Sequence, residues 1–123
     1  MDLVYEALKI LKLVLQARAP YDTGNLALNS IRIVQNTVVI GGEIAEYAIF
    51  TNEPWSKGKN PNESWVQRAI QEAKPLIQMT LNGRCSMEDI QRAKQTYQDI
   101  LKDRQRLMVE RLKELREEIA GEK

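Results

Sequence analysis

The sequence predicts an α+β fold with a long C-terminal α-helix, and three observations lead there. Apolar residues recur at helical spacing near residues 3–17 and 65–77, one pair of β-rich runs lies between them, and the last third keeps an apolar stripe without any proline. Charge divides the chain in the same way: 19 of its 35 charged residues fall within the last 40. The expected organisation is therefore an α+β core over 1–83 followed by a charged amphipathic helix over 84–123.

The elements follow in order. Asp2 is placed to cap a helix from Leu3 to Ala17, with Leu3, Val4, Ala7, Leu8, Leu11, Val14 and Leu15 on one broad apolar face. Pro20 ends it, because the residue before a proline is pushed out of the helical region. In the turn that follows, Asp22 or Thr23 can cap a short second helix reaching Asn29. Ile31 to Val34 and Val38 to Ile40, linked by Gln35-Asn36-Thr37, suggest a hairpin. Glu43 to Phe50 is a short helix or a strand, and periodicity does not separate the two. Thr51 to Asn62 has no secondary-structure signal, and a loop this long in a small domain is usually functional or mobile. Asn62 then caps a helix with Glu63 in its first turn and Trp65, Ala69, Ile70, Ala73, Leu76 and Ile77 on its apolar face. Pro75 is expected to kink or split that helix, and Asn82-Gly83 to close it.

The terminal helix starts at Ser86, which forms a capping-box pattern with Asp89, and stops at Gly121. Its stripe repeats every eleven residues: Ile90, Leu101 and Leu112; Tyr97, Met108 and Ile119; Ala93, Arg104 and Leu115. Eleven residues in three turns is about 3.67 per turn, so the stripe runs almost straight along the helix. At about 1.5 Å per residue the helix spans roughly 50 Å, longer than so small a domain is wide. Part of it must project or pack on another chain. Two expectations compete: packing on its own subunit for a few turns and on a neighbouring subunit beyond, or a free coiled-coil dimerisation arm in which Arg104 sets register.

Composition narrows the chemistry. With no histidine there is no histidine relay, no imidazole base and no imidazole ligand, and lone Cys85 builds neither a thiolate metal cage nor an intrachain disulfide. A net charge of +1 argues against a free-standing nucleic-acid binder. No apolar run reaches the roughly 18 residues of a membrane span. The apolar-rich first fifteen residues carry Asp2, Glu6, Lys9 and Lys12, so a secretory signal is not expected and cytoplasmic synthesis is.

No catalytic constellation stands out. Gly41-Gly42 lacks the pattern of a phosphate cradle. Asp22 with Thr23 has no base or oxyanion group near it in sequence. Glu43, Glu46 and Glu53 lack the spacing of a calcium loop, and a solvated face is the default. No cofactor, metal or catalytic residue is assigned. Lys57 and Lys59, beside Trp55 and Gly58, are candidates for contact with a phosphate backbone. Trp55 and Trp65 are packing residues or interface anchors.

The order of several strings carries a resemblance. Ala19-Pro20-Tyr21-Asp22-Thr23-Gly24-Asn25-Leu26 is followed by Ser30-Ile31, a hairpin, and Tyr47-Ala48. Then come Thr51-Asn52-Glu53-Pro54-Trp55 and Lys59-Asn60-Pro61-Asn62-Glu63-Ser64-Trp65, before an alanine-bearing helix. From about Leu3 to Ile77 this resembles the HK97 gp10-like family of small neck and tail-completion proteins of tailed bacteriophages. The long charged helix after Gly83 is where the chain departs from that family.

The resemblance implies a small antiparallel sheet packed against helices in a non-enzymatic virion protein. It implies a ring, a homohexamer, joining the head connector to the tail. Its partners would be further copies of itself, a neighbouring neck or connector protein, a tail or tail-tube protein, and viral DNA in passage, with no membrane. The expected subunit or partner contacts are Asp22, Thr23, Gly24, Trp55, Asn60, Pro61, Trp65, Tyr97, Leu101, Met108 and Leu112, and Lys57 and Lys59 are expected to line the DNA channel.

Overall fold

The computed structural model describes residues 2–21, 25–42, 51–56, 58–83 and 85–121. Among the described residues, α-helices at Leu3–Arg18, Trp65–Asn82 and Met87–Gly121 surround a two-stranded antiparallel sheet, with a π-helical turn at Asn25–Asn29, and Thr51 and Asn52 are also helical. The predicted α+β class with a long C-terminal helix is what the chain forms.

Helix α1 covers Leu3–Arg18. Asp2 Oδ1 accepts from the Val4 and Tyr5 backbone N–H groups at 3.0 and 3.2 Å, so two of the otherwise orphaned donors of the first turn are satisfied. The expected apolar face is covered progressively: Leu3 and Val4 are exposed, Ala7, Leu8 and Leu11 half-buried, and Val14 and Leu15 buried, while Ile10, outside that face, is buried as well. A core of this size has too little material to cover four full turns.

The π-helical turn takes the place of the expected second helix and buries Leu26 and Ala27. Its proposed caps, Asp22 and Thr23, lie outside the described residues, as do Gly24 and the whole segment 43–50.

Strands β1 (Ile31–Val34) and β2 (Thr37–Ile40) pair with Ile31 opposite Ile40 and Val34 opposite Thr37. The connection is thus two residues, Gln35-Asn36, one shorter than expected. Gln35 takes a left-handed φ of 55°, the hand of turn that matches strand twist in two-residue hairpins. After β2 the chain turns at Gly41 and Gly42 with φ of 95° and 118°, which explains both glycines by backbone conformation. Arg32 Nη1 donates to Gly41 O at 2.8 Å and holds that turn against the hairpin.

Helix α2 (Trp65–Asn82) begins two residues later than the Asn62 cap predicts and ends on left-handed Gly83. It also runs unbroken through Pro75. Proline removes the donor for the Gln71 carbonyl, but Gln71 and Pro75 both sit on the exposed face, where water can serve that carbonyl. Helix α3 covers Met87–Gly121, and Ser86 Oγ accepts from the Asp89 N–H at 3.1 Å, as half of the expected capping box.

The core lies where α1, α2, the hairpin and the π turn meet. Val14, Leu15 and Ala19 pack there with Leu26, Ala27, Ile31, Trp65, Ala69 and Ala73, and Val38, Ile40 and Tyr97 close its margins. Two alanines of α2, fully buried, allow α1 to approach closely, and these two helices share the most extensive packing in the chain.

Candidate interaction surfaces

Three arrangements carry the polar chemistry of the described residues. The first is at the end of α1. In an α-helix the Gln16 carbonyl would accept from residue 20, but Pro20 has no N–H. Arg104 from α3 supplies the missing donor: its Nη1 reaches Gln16 O at 2.6 Å and Ala19 O at 2.7 Å. A cation at the negative end of the α1 dipole is also favourably placed. The guanidinium lies 5.4 Å from the Tyr21 ring centre, and Tyr21 donates its hydroxyl to the Arg104 carbonyl at 3.1 Å. Burial holds the Arg104 pKa below its ordinary value, opposed in part by Tyr21. Arg104 is therefore a structural clamp inside one subunit, which corrects the expectation that it sets coiled-coil register.

The second arrangement joins all three helices. Arg18 donates from Nε and Nη2 to the Glu72 carboxylate at 2.9 to 3.2 Å, and Tyr97 donates its hydroxyl to Glu72 Oε1 at 3.2 Å. The Arg18 guanidinium also sits 5.5 Å from the Tyr97 ring centre. The hydrogen bond to Glu72 raises the Arg18 pKa, and burial, with the nearby Glu72 charge, raises that of Tyr97.

The third is a knot built from the two strings in the 51–65 segment, where Thr51 and Asn52 are helical, so the irregular stretch begins at Glu53 and not at Thr51 as expected. Asn60 is buried, donates from Nδ2 to Thr51 O and Glu53 O at 2.9 and 2.8 Å, and accepts from the Asn62 N–H at 3.0 Å. Trp65 Nε1 donates to Thr51 Oγ1 at 2.9 Å. Asn52 accepts twice: its carbonyl from the Ser64 N–H at 2.9 Å, and its Oδ1 from the Val66 N–H at 3.0 Å. The helix cap of α2 thus comes from a residue well upstream in sequence. Ser64, the residue before the helix, has a left-handed φ of 62° and no side-chain cap bond of its own. A distant cap leaves no local sequence pattern, which is why Asn62 was the natural choice and Asn52 was not.

The predicted contact residues separate into four groups. Asp22, Thr23, Gly24 and Lys57 lie outside the described residues. Asn60 and Trp65 belong to the interior, Trp65 with 2% exposure, so they shape the loop instead of meeting a partner. Trp55 at 49% exposure, Pro61 and Lys59 are on the surface. Tyr97, Leu101 and Met108 are half-buried against their own subunit's side, and Leu112 is exposed.

Beyond Met108 every described residue of α3 is exposed, including Val109, Leu112, Leu115 and Ile119. The helix is therefore a packed segment followed by a projecting arm. A shallow groove of about 370 Å³ on α3 is lined by Gln95, Gln98, Leu101, Lys102 and Gln105, a neutral set apart from the lysine. Among the described residues no group of three or more acidic or cysteine side chains is arranged to hold a metal ion, and no helix is long and apolar enough to cross a membrane. No buried side-chain nitrogen or oxygen among them lacks a hydrogen-bond partner. What these arrangements offer is shape and exposed apolar surface.

Comparison with known proteins adds no relative: no protein-family model, curated protein or solved structure matches this chain.

Proposed function

We propose that this chain is a structural subunit of a tailed-bacteriophage neck, a head–tail connector or tail-completion protein that assembles as a homohexameric ring around a DNA channel. It would be assembled in the host cytoplasm and reside in the virion at the head–tail junction, without enzymatic activity, cofactor or membrane contact. The observation that carries the proposal is the knot. Thr51, Asn52, Asn60 and Trp65, from the two strings most specific to the resemblance, act together to hold out the loop that bears Trp55 and Lys59. Subunits with a small core gain stability when neighbours cover their remaining apolar surface, and a head-to-tail contact that closes by rotation does so for every copy. In this proposal Lys57 and Lys59 line the channel weakly and let DNA slide, and the projecting arm reaches an adjacent subunit or the next ring.

Mass photometry of the purified protein, alone and with its tail-tube and connector proteins, tests the proposal. Six-subunit particles are expected, and a species that stays monomeric with both partners present overturns it. Exchange of Lys57 and Lys59 for glutamate is expected to slow DNA ejection without blocking assembly; unchanged ejection removes the channel role.

A coiled-coil adaptor is the second possibility, favoured by the exposed apolar arm. A chain ending at Met108 separates the two, because it keeps Ile90, Tyr97 and Arg104. Rings formed by that shortened chain make the arm an accessory, and loss of all assembly makes the arm the driver.

A further inference from the structure

The arm has a pattern of its own. Met108, Leu112, Leu115 and Ile119 are separated by four, three and four residues, which is the spacing of a heptad seam. Leu112, Leu115 and Ile119 are 57%, 36% and 68% exposed, and they continue the stripe on which Leu101 and Met108 are half-buried. An occupant must therefore offer a complementary apolar seam of about two heptads. The charges beside the seam say which. Arg111 precedes Leu112 and Glu118 precedes Ile119 on one flank; Val109 and Arg116 lie on the other.

In a parallel pair of these arms the flanking residue of one heptad meets the opposite flank of the next, which sets Arg111 against Arg116 of the second copy and is repulsive. In an antiparallel pair like flanks meet, so Arg111 faces Glu118 of the second copy and, by symmetry, Glu118 faces its Arg111. All four layers of the seam are then apolar: Met108 on Ile119, Leu112 on Leu115, and the same two in reverse. On the other flank the alkyl stem of Arg116 covers Val109. Within its own helix Arg111 has only an exposed pair with Glu114 at 3.6 Å, which pairing can replace.

We propose that residues 108–119 of α3 bind the same segment of a second copy of this chain, antiparallel, with Arg111 and Glu118 fixing the direction. The contact goes beyond the ring function and does not depend on it. It is isologous and closes at two copies, whereas neighbours in a ring of rotational symmetry are not related by a twofold axis. Of the two destinations proposed for the arm, an adjacent subunit or the next ring, the pairing therefore selects the second: the arms join the faces of two rings, or free subunits before a ring forms. Two heptads bury less than the roughly 1,200 Å² at the lower end of stable interfaces, so the pairing is weak and reversible.

The test uses the full chain with Cys85→Ser. Leu112→Cys and Leu115→Cys chains, mixed and treated with a mild oxidant, are expected to form far more disulfide dimer than either alone. Efficient linking of each chain to itself indicates a parallel pair and overturns the proposal, as does absence of linking at all concentrations. Sedimentation velocity gives an independent reading. Arg111→Glu is expected to weaken self-association about tenfold, the loss of two attractive pairs to repulsion, and Arg111→Glu with Glu118→Arg to restore it. Self-association indifferent to the single exchange overturns the assignment of direction. Positions 111, 112, 115 and 118 are exposed and Cys85 is half-buried, so the Cys85→Ser chain is the reference, and a urea unfolding curve unchanged from it verifies that each variant is folded.

Discussion

Ile90 and Leu112 stand two eleven-residue steps apart on one stripe of one helix, yet Ile90 is buried at 8% exposure and Leu112 is 57% exposed. The eleven-residue stripe runs through both halves of α3. What differs is the neighbour: the first half meets α1 and α2, the second meets nothing among the described residues. A period selects the face of a helix, but the elements that end beside it decide how far the face is covered. Coverage runs out at Met108, one turn past the contact of Arg104 with the C-terminal end of α1.

That contrast can be sharpened by substitution. Ile90→Ala is expected to have the largest effect, destabilising the subunit by about 2–5 kcal/mol in urea unfolding through lost burial and a residual cavity. A cost close to that of an exposed site would dissolve the distinction between the halves.

Arg104→Ala follows at about 2–3 kcal/mol, because it leaves the Gln16 carbonyl without a donor. Arg104→Lys should recover only part of the loss, since an ammonium lacks the planar fork that serves both carbonyls and stacks on Tyr21.

A smaller effect is expected from pH. The Tyr97 pKa is raised in the fold, so its contribution is complete below the ordinary tyrosine range and is lost as pH rises through the higher folded value. Between pH 9 and 11 the Tyr97→Phe chain should therefore lose less stability than the parent; equal losses would separate Tyr97 from the Glu72 cluster. Least of all, Leu112→Ala should change subunit unfolding by no more than about 0.5 kcal/mol. A larger cost would mean that the arm is already covered within the subunit or its assembly.

Much of this architecture was legible because it is local. The Asp2 cap, the stop before Pro20, the hairpin and the Ser86 start each depend on residues within a few positions of one another. What escaped depends on residues far apart: Asn52 capping α2, Arg104 closing α1, and Glu72 gathering Arg18 and Tyr97. Such contacts satisfy ordinary hydrogen-bonding needs but leave no period and no short motif. Asn60 and Trp65 show the same limit at the candidate site. Whether each side chain faced outward or inward depended on the Thr51 and Glu53 carbonyls for Asn60 and on the Thr51 hydroxyl for Trp65, which sequence spacing alone does not locate.

The clamp at the end of α1 also imposes an order on synthesis. Gln16 and Arg104 are 88 positions apart, so at about 5–20 residues per second the arginine is added roughly 4–18 s after the carbonyl it will serve. Until then the last turn of α1 has only water at that carbonyl, and the two aromatic and helical surfaces that Arg104 joins remain unlinked. Closure at this end of α1 therefore waits until α3 has been made.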